Sequence, residues 1–67
     1  MMKIRVNGEY QVVQDSLTIT EFVAQLGLDE TRLVVELNAE VILKRNFLQT
    51  TLNDGDVVEL VEFVAGG

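Results

Sequence analysis

Cysteine and histidine are both missing from this 67-residue chain, and the two absences close off most side-chain chemistry. Without cysteine there is no disulfide, no thiolate nucleophile and no cysteine-based metal site. Without histidine the commonest general base and metal ligand is gone. Cations are scarce too: Lys and Arg total 5 against 11 Asp and Glu, a formal charge of −6. Nucleic-acid binding rests on clustered cations, so no nucleic-acid partner is expected. An acidic surface steers a protein toward basic partners, although simple solubility accounts for the charge equally well. No apolar run approaches the ~20 residues that span a bilayer. The opening "MMKIRVNGEY" turns polar at once and lacks the apolar region of a signal peptide. A cytoplasmic protein with no membrane partner is expected.

What the chain does have is apolar material, 48% of its residues. It is long enough for a single domain over residues 1–67 and no more. A domain of this size buries only ~60% of the surface its unfolded chain exposes. With no covalent staple, stability must come from the core. Linkers, repeats and low-complexity stretches are absent, and the chain divides into short elements.

"KIRV" alternates, with Met2, Ile4 and Val6 on one side and Lys3 and Arg5 on the other, the pattern of a half-buried strand. Asn7-Gly8 is a hairpin signal, and "YQVV" is the returning strand, with its buried face ambiguous. Thr18 and Glu21 form a T-x-x-E capping box, and Leu17 and Phe22 are placed for a hydrophobic staple. Ile19, Phe22, Val23 and Leu26 make one apolar stripe at i, i+3, i+4 and i+7. Gly27 supplies a left-handed stop, with Leu28 packing back on Val23. "LVVEL" reads as a third strand, buried enough to be nearly continuous in apolar residues. A turn at Asn38-Ala39 and a short strand "EVIL" follow. "KRNFLQTTL" has weak periodicity and is expected to form a helical or 3₁₀ turn with Phe47 and Leu48 tucked inward. Asp54-Gly55-Asp56 is a turn, and "VVELVEFV" is the last strand. One helix must cover one face of a mixed sheet. If the first and last strands lie together in the middle, they run parallel, as in a β-grasp.

Candidates for chemistry are few. Asp29-Glu30 sits just past the helix, and Asp54 and Asp56 flank a turn glycine, where Asp ordinarily bonds its own backbone. "NDGDVVEL" lacks the spacing of a calcium loop. Gly8 and Gly55 are turn glycines and form no phosphate-binding fingerprint, so nucleotide binding by this chain is not expected. Asn7, Asn38 and Asn53 also sit at turns. Lys44-Arg45 is the one adjacent cationic pair and fits a solvated surface or a rim contact with a partner better than anion binding. Lys3 and Arg5 are placed to pair with Glu59 or Glu62 at ~0–1 kcal/mol each.

There remains "FVAGG". Along the last strand Val58, Leu60 and Val64 share one side with Glu62, while Val57, Val61 and Phe63 share the other with Glu59. A sheet covered on one face needs only one apolar set. Val61 and Phe63, with Val64, therefore form either a docking patch beside the tail or a local cluster around Phe47. Gly66 and Gly67 have no side chains and adopt almost any backbone conformation. Ala65, Gly66 and Gly67 are expected to form a thin, flexible tail reaching about 10 Å at ~3.3–3.6 Å per residue, which would carry a carboxylate into a narrow active site. Such a carboxylate becomes an electrophile only on conversion to a mixed anhydride, for example with AMP. The chain has no group that would perform that step, so another enzyme must.

Over essentially its whole length the chain resembles the ThiS family, the sulfur carriers of thiamine (thiazole) biosynthesis. The resemblance is carried by "NGE" (Asn7, Gly8, Glu9), "LTITEFVAQLGL", "VVELNAEVI", "DGD" (Asp54, Gly55, Asp56) and the closing "VVELVEFVAGG". It implies an α+β, ubiquitin-like β-grasp of four to five strands with one main helix on one face. It also implies a non-enzymatic carrier that binds no cofactor. A ThiF-type adenylyltransferase would use ATP to adenylate Gly67, a persulfide donor would convert it to a thiocarboxylate, and a ThiG-type thiazole synthase would take the sulfur. Ala65 and Gly66 would thread the partner's active site, with Val61, Phe63 and Val64 docking outside it. The chain departs from the family's common pattern at Ala39, Leu43 and Phe47, where Gly, Pro and Trp are frequent, all away from the tail.

Two other readings share the fold: a carrier for another product, such as the small subunit of molybdopterin synthase, and a ubiquitin-like interaction module or modifier. Fold by itself permits each, and 67 residues favours the thiazole carrier over the longer molybdopterin subunits.

Overall fold

The computed structural model describes residues 1–64, and the tail expected at residues 65–67 lies outside the described residues. Strands β1 (Met2–Val6) and β2 (Glu9–Val13) pair antiparallel. Asn7 and Gly8 join them with φ of 48° and 85°, the two positive values that match a hairpin turn to strand twist. In β1 alternation sends Met2, Ile4 and Val6 into the core and leaves Lys3 and Arg5 outside. The ambiguity in β2 resolves through its register. Val13 lies opposite Met2 and Gln11 opposite Ile4, on the core side, while Tyr10 and Val12 face outward.

Helix α1 (Ile19–Gln25) begins where the capping box predicts. The Thr18 hydroxyl accepts from the Glu21 N–H at 3.1 Å, and the Glu21 carboxylate accepts from the Thr18 N–H at 2.9 Å. Leu17 and Phe22 are both buried, as a staple requires. At the other end Gly27 takes φ 73°. Its N–H reaches the Ala24 carbonyl at 3.0 Å, and the Leu28 N–H reaches the Val23 carbonyl at 3.1 Å, the two bonds of a Schellman ending. Leu28 packs against the core. Leu26, assigned to the buried stripe by spacing, is 37% exposed, because the helix ends before its turn is covered by the sheet.

A 3₁₀ turn (Glu30–Arg32), unforeseen in the sequence, leads into β3 (Leu33–Leu37), which pairs with β4 (Glu40–Ile42) through the Asn38-Ala39 turn. Strand β3 is not buried throughout as its composition suggested: Leu33 and Val35 are buried, but Val34 is exposed on the opposite face. A second 3₁₀ helix (Lys44–Gln49) matches the expected turn, with one correction. Phe47 is buried at 1% exposure, whereas Leu48 is 68% exposed. At three residues per turn neighbouring side chains point ~120° apart, so both cannot enter one core, and Leu52 fills the inward place.

Strand β5 (Val57–Glu62) closes the sheet in the order β2-β1-β5-β3-β4. It runs parallel to β1, with Arg5 beside Val57 and Val6 beside Val58, and antiparallel to β3. Helix α1 and the second 3₁₀ helix lie on one face, where Ile4, Phe22, Val35, Phe47 and Val58 form the centre of a single core. This is the ubiquitin-like β-grasp.

The expected ion pairs of Lys3 and Arg5 with Glu59 or Glu62 do not form. Both cations lie over the Tyr10 ring instead, 4.5 and 5.7 Å from its centre. Among the described residues the ion pairs are those of the Met1 amine with Asp15 and of Arg32 with Asp29. Asp54 also differs from expectation: its carboxylate accepts from the Lys3 N–H at 2.8 Å, across the sheet rather than within its own turn.

Candidate docking face and the junction with the tail

The end of β5 is held from both sides by different means. On the β3 side the ladder runs from Leu37–Val58 to Leu33–Glu62, and the Phe63 N–H extends it by bonding the Arg32 carbonyl at 2.9 Å. On the other side β1 stops at Val6. There the Asn7 side chain takes over, accepting from the Leu60 N–H at 2.7 Å and donating to the Leu60 carbonyl at 3.2 Å. Asn38 does similar work at the start of β5. Its amide oxygen accepts from the Val57 N–H at 2.9 Å, and its NH₂ donates to the buried carboxylate of Asp56 at 3.0 Å. Asp56 in turn accepts from the Asn53 N–H at 2.7 Å. The turn asparagines thus fix where β5 begins and how far it runs.

Of the expected docking residues, Val61 is 58% exposed, Phe63 46% and Val64 83%. Val61 stands on the sheet face away from the helix, opposite Val34. Phe47 lies in the helix-side core, so Val61 does not cluster with it. The exposed face continues through Val57 on β5 and Val41 on β4. Val34 and Val41 were not legible as part of this patch. The surplus of apolar residues in "LVVEL" is the one sequence signal that pointed there. Ala65, Gly66 and Gly67, expected to form the reactive tail, lie outside the described residues.

Beside the junction, the Asp29 carboxylate accepts from the Thr31 hydroxyl at 2.6 Å and the Thr31 N–H at 2.9 Å. These bonds hold its pKa below the usual value, helped by the charges of Arg32 and Lys44. Lys44 also donates to the Thr31 carbonyl at 3.0 Å. Asp29 and Lys44 are therefore spent on the loop that precedes β3. On the helix side, past the last turn of α1, an open groove of about 550 Å³ is bounded by Val6, Leu26, Leu28, Leu33 and Leu60, with Glu9 and Glu62 among its polar lining. Among the described residues no group of three or more acidic side chains is placed to hold a metal ion. No helix among them is long and apolar enough to cross a membrane. Among the described residues the arrangement offers a five-stranded platform with an apolar face, and no nucleophile–base pair.

Comparison with known proteins agrees with this geometry. The chain is 35% identical to the sulfur carrier protein ThiS of Bacillus subtilis over 65 residues, covering 96% of this chain and 98% of that one. It is 38% identical over 66 residues to a thiazole synthase of Paramagnetospirillum magneticum, covering 98% of this chain but spanning only 20% of that longer protein. The crystal structure of a thiamine biosynthesis protein (ThiS) from Geobacter metallireducens superposes with a TM-score of 0.85 at 39% identity, covering 98% of this chain and all of that one. The sequence model of the ThiS family matches residues 4–67, and with the β-grasp and its exposed valine face in place, this chain belongs to the ThiS family.

Proposed function

We propose that this protein is a sulfur carrier of thiamine biosynthesis, a reactant rather than a catalyst, whose reactive group is the carboxylate of Gly67. A separate ThiF-type adenylyltransferase binds ATP and uses it to activate that carboxylate. A Gly67 carboxylate oxygen attacks the α-phosphorus, pyrophosphate leaves, and an acyl adenylate forms. The terminal sulfur of a persulfide then attacks the carbonyl carbon and AMP leaves. A thiol cleaves the resulting acyl disulfide, leaving the thiocarboxylate and a new disulfide on the donor. Thiazole synthase receives the sulfur.

The observation that carries this reading is the match to the ThiS family through residue 67, with 35% identity along nearly the whole of a sulfur carrier. The choice of thiazole synthase as acceptor is supported by relatives of that name in Paramagnetospirillum magneticum and Magnetococcus marinus, each matched over about a fifth of its length by nearly all of this chain. Carrier and acceptor sharing one polypeptide is what a dedicated pair would permit. Ala65 and Gly66 thread the partner's active site, and Val61, Phe63 and Val64 dock outside it. Ordering each tail residue costs ~1–2 kcal/mol of backbone entropy, which an apolar docking face beside the tail offsets.

The test is intact-mass analysis after incubation with the adenylyltransferase, ATP and a persulfide donor. Exchange of one oxygen for one sulfur, mapped to Gly67, is expected. An unchanged mass, or undiminished sulfur transfer after deletion of Gly67, would sink the reading. Adding thiazole synthase and its other substrates then tests the acceptor.

A further inference from the structure

Asn7-Gly8 and Asp54-Gly55 place a side-chain carbonyl directly before a glycine. Such a pair can cyclise, because glycine lets its own nitrogen reach the preceding side chain without steric hindrance. The fold treats the two pairs differently. At Asp54 both reacting groups are engaged. Its carboxylate accepts from the Lys3 N–H at 2.8 Å, and the Gly55 N–H donates to the Lys3 carbonyl at 2.8 Å. A carboxylate is also the poorer electrophile. At Asn7 only the side chain is held, by the Leu60 N–H at 2.7 Å and the Leu60 carbonyl at 3.2 Å. Among the described residues no hydrogen bond engages the Gly8 N–H. Asn7 and Gly8 are both exposed, and nothing lies within 4 Å of where a Gly8 side chain would begin. Water and base therefore reach the pair. The other asparagines, Asn38, Asn46 and Asn53, precede Ala, Phe and Asp, whose side chains hinder the same approach.

We propose that Asn7 is a self-modification site, which deamidates spontaneously when its clamp on Leu60 opens. Base removes the Gly8 N–H proton, and the nitrogen attacks the Asn7 Cγ. The new C–N bond closes a succinimide ring, and the side-chain nitrogen takes up a proton and leaves as ammonia. Water then opens the ring at either carbonyl. One opening gives aspartate, and the other gives isoaspartate with the backbone rerouted through the β-carbon. One water enters, one ammonia leaves, and nothing is oxidised or reduced. The product adds a negative charge to a chain already at −6. A carboxylate cannot donate to the Leu60 carbonyl, so the clamp does not re-form in full. The end of β5, next to Phe63, is loosened for good. Local opening of the clamp thus sets the rate of an irreversible change. The reaction needs no partner enzyme and does not rest on the carrier reading.

The test is incubation of the protein at mildly alkaline pH, folded and in denaturing urea, followed by intact mass and peptide mapping. Exchange of NH₂ for OH marks deamidation, whereas isomerisation at Asp54 leaves the mass unchanged. Asn7 is expected to react ahead of the other asparagines in both conditions. It should react about tenfold more slowly in the folded protein, where two hydrogen bonds must first break. Equal rates folded and unfolded overturn the gate. Faster reaction at Asn38, Asn46 or Asn53 overturns the site. Gly8→Ala is compared with the parent in urea, so that folding does not enter, and should slow the reaction at Asn7. An unchanged rate there would show that the Gly8 nitrogen is not the nucleophile. Refolded protein enriched in the product should exchange the Leu60 amide faster while Val35 stays protected. Unchanged exchange at Leu60 overturns the loosening of β5.

Discussion

Asn7 serves as one more residue of β1 for Leu60, which lies 53 positions later in the chain. Its side-chain amide presents an acceptor at 2.7 Å and a donor at 3.2 Å to the Leu60 backbone, the same pair of functions a strand neighbour would present. Meanwhile its own backbone turns the hairpin at φ 48°. Both duties suit asparagine, which tolerates the left-handed region and carries both hydrogen-bonding functions. Asn7→Ala is expected to cost about 1–3 kcal/mol, two hydrogen bonds at ~0.5–1.5 each, read from urea unfolding. Asn7→Asp keeps the turn and the acceptor but sets a carboxylate against the Leu60 carbonyl. Amide exchange at Leu60 should quicken in both variants while Val35 stays protected. Equal protection at Leu60 in Asn7→Asp would show that the donor contributes nothing.

The Asn38-Ala39 turn holds both residues at positive φ, 52° and 70°. Asparagine accepts this and is further tied to β5 by its amide. Alanine has no such compensation, and the left-handed region costs an L-residue roughly 1–2 kcal/mol relative to glycine. Ala39→Gly is therefore expected to stabilise the protein by about 1 kcal/mol, less whatever the freer unfolded chain takes back. A urea midpoint that stays the same or falls would mean that the unfolded-state entropy of glycine outweighs the relief of strain.

The capping box predicts an acid limb to the stability curve. Hydrogen bonds from the Thr18 backbone and then its hydroxyl hold the Glu21 pKa below its ordinary 4.5. A carboxyl whose pKa is depressed on folding stabilises the folded state when ionised. That contribution is complete above 4.5 and is lost as the pH falls through the lower, folded value. Asp29, depressed by Thr31 from 3.8, adds to the same limb at slightly lower pH. Glu21→Gln still accepts the Thr18 bond but does not titrate. Its stability should fall less steeply than the parent's below pH 4.5, while Thr18→Ala loses about 1 kcal/mol at neutral pH as an N-cap. Parallel curves for parent and Glu21→Gln would refute the assignment.

These residues also mark what sequence could and could not deliver. Thr18 with Glu21, Gly27, and Asn7 with Gly8 are local signals: each names the conformation of its own few residues, and each was legible. Alternation likewise placed Val57, Val61 and Phe63 on one side of β5. What failed or went unread depends on contacts far along the chain. Nothing in "NFLQ" says that Phe47 and not Leu48 meets the helix, because the choice depends on where the 3₁₀ helix docks. The bonds of Asn7 to Leu60 and of Asn38 to Val57 exist only once β5 lies in the middle of the sheet. Val34 and Val41 join the exposed face only through register with neighbouring strands.

Phe63 and Gly66 should fail differently in the proposed adenylation, and the contrast tests how the protein presents its end. Phe63 is half-exposed at the last hydrogen bond to β3, several residues from the proposed reacting carboxylate. Its contribution would be uniform binding energy, lost from ground and transition states alike. Phe63→Ala should raise KM with kcat little changed, and should shift stability by less than about 1 kcal/mol, since much of the ring is already in water. Gly66 adjoins the proposed reacting residue in sequence. A methyl group there narrows the backbone's options at the point where ångström-scale misplacement costs as much as ~10²-fold in rate. Gly66→Ala should therefore lower kcat while the urea midpoint stays at the parent value. A drop in kcat for Phe63→Ala with KM unchanged would place the aromatic ring in the transition state rather than on a docking face. Unfolding of Gly66→Ala would give the tail a part in the fold.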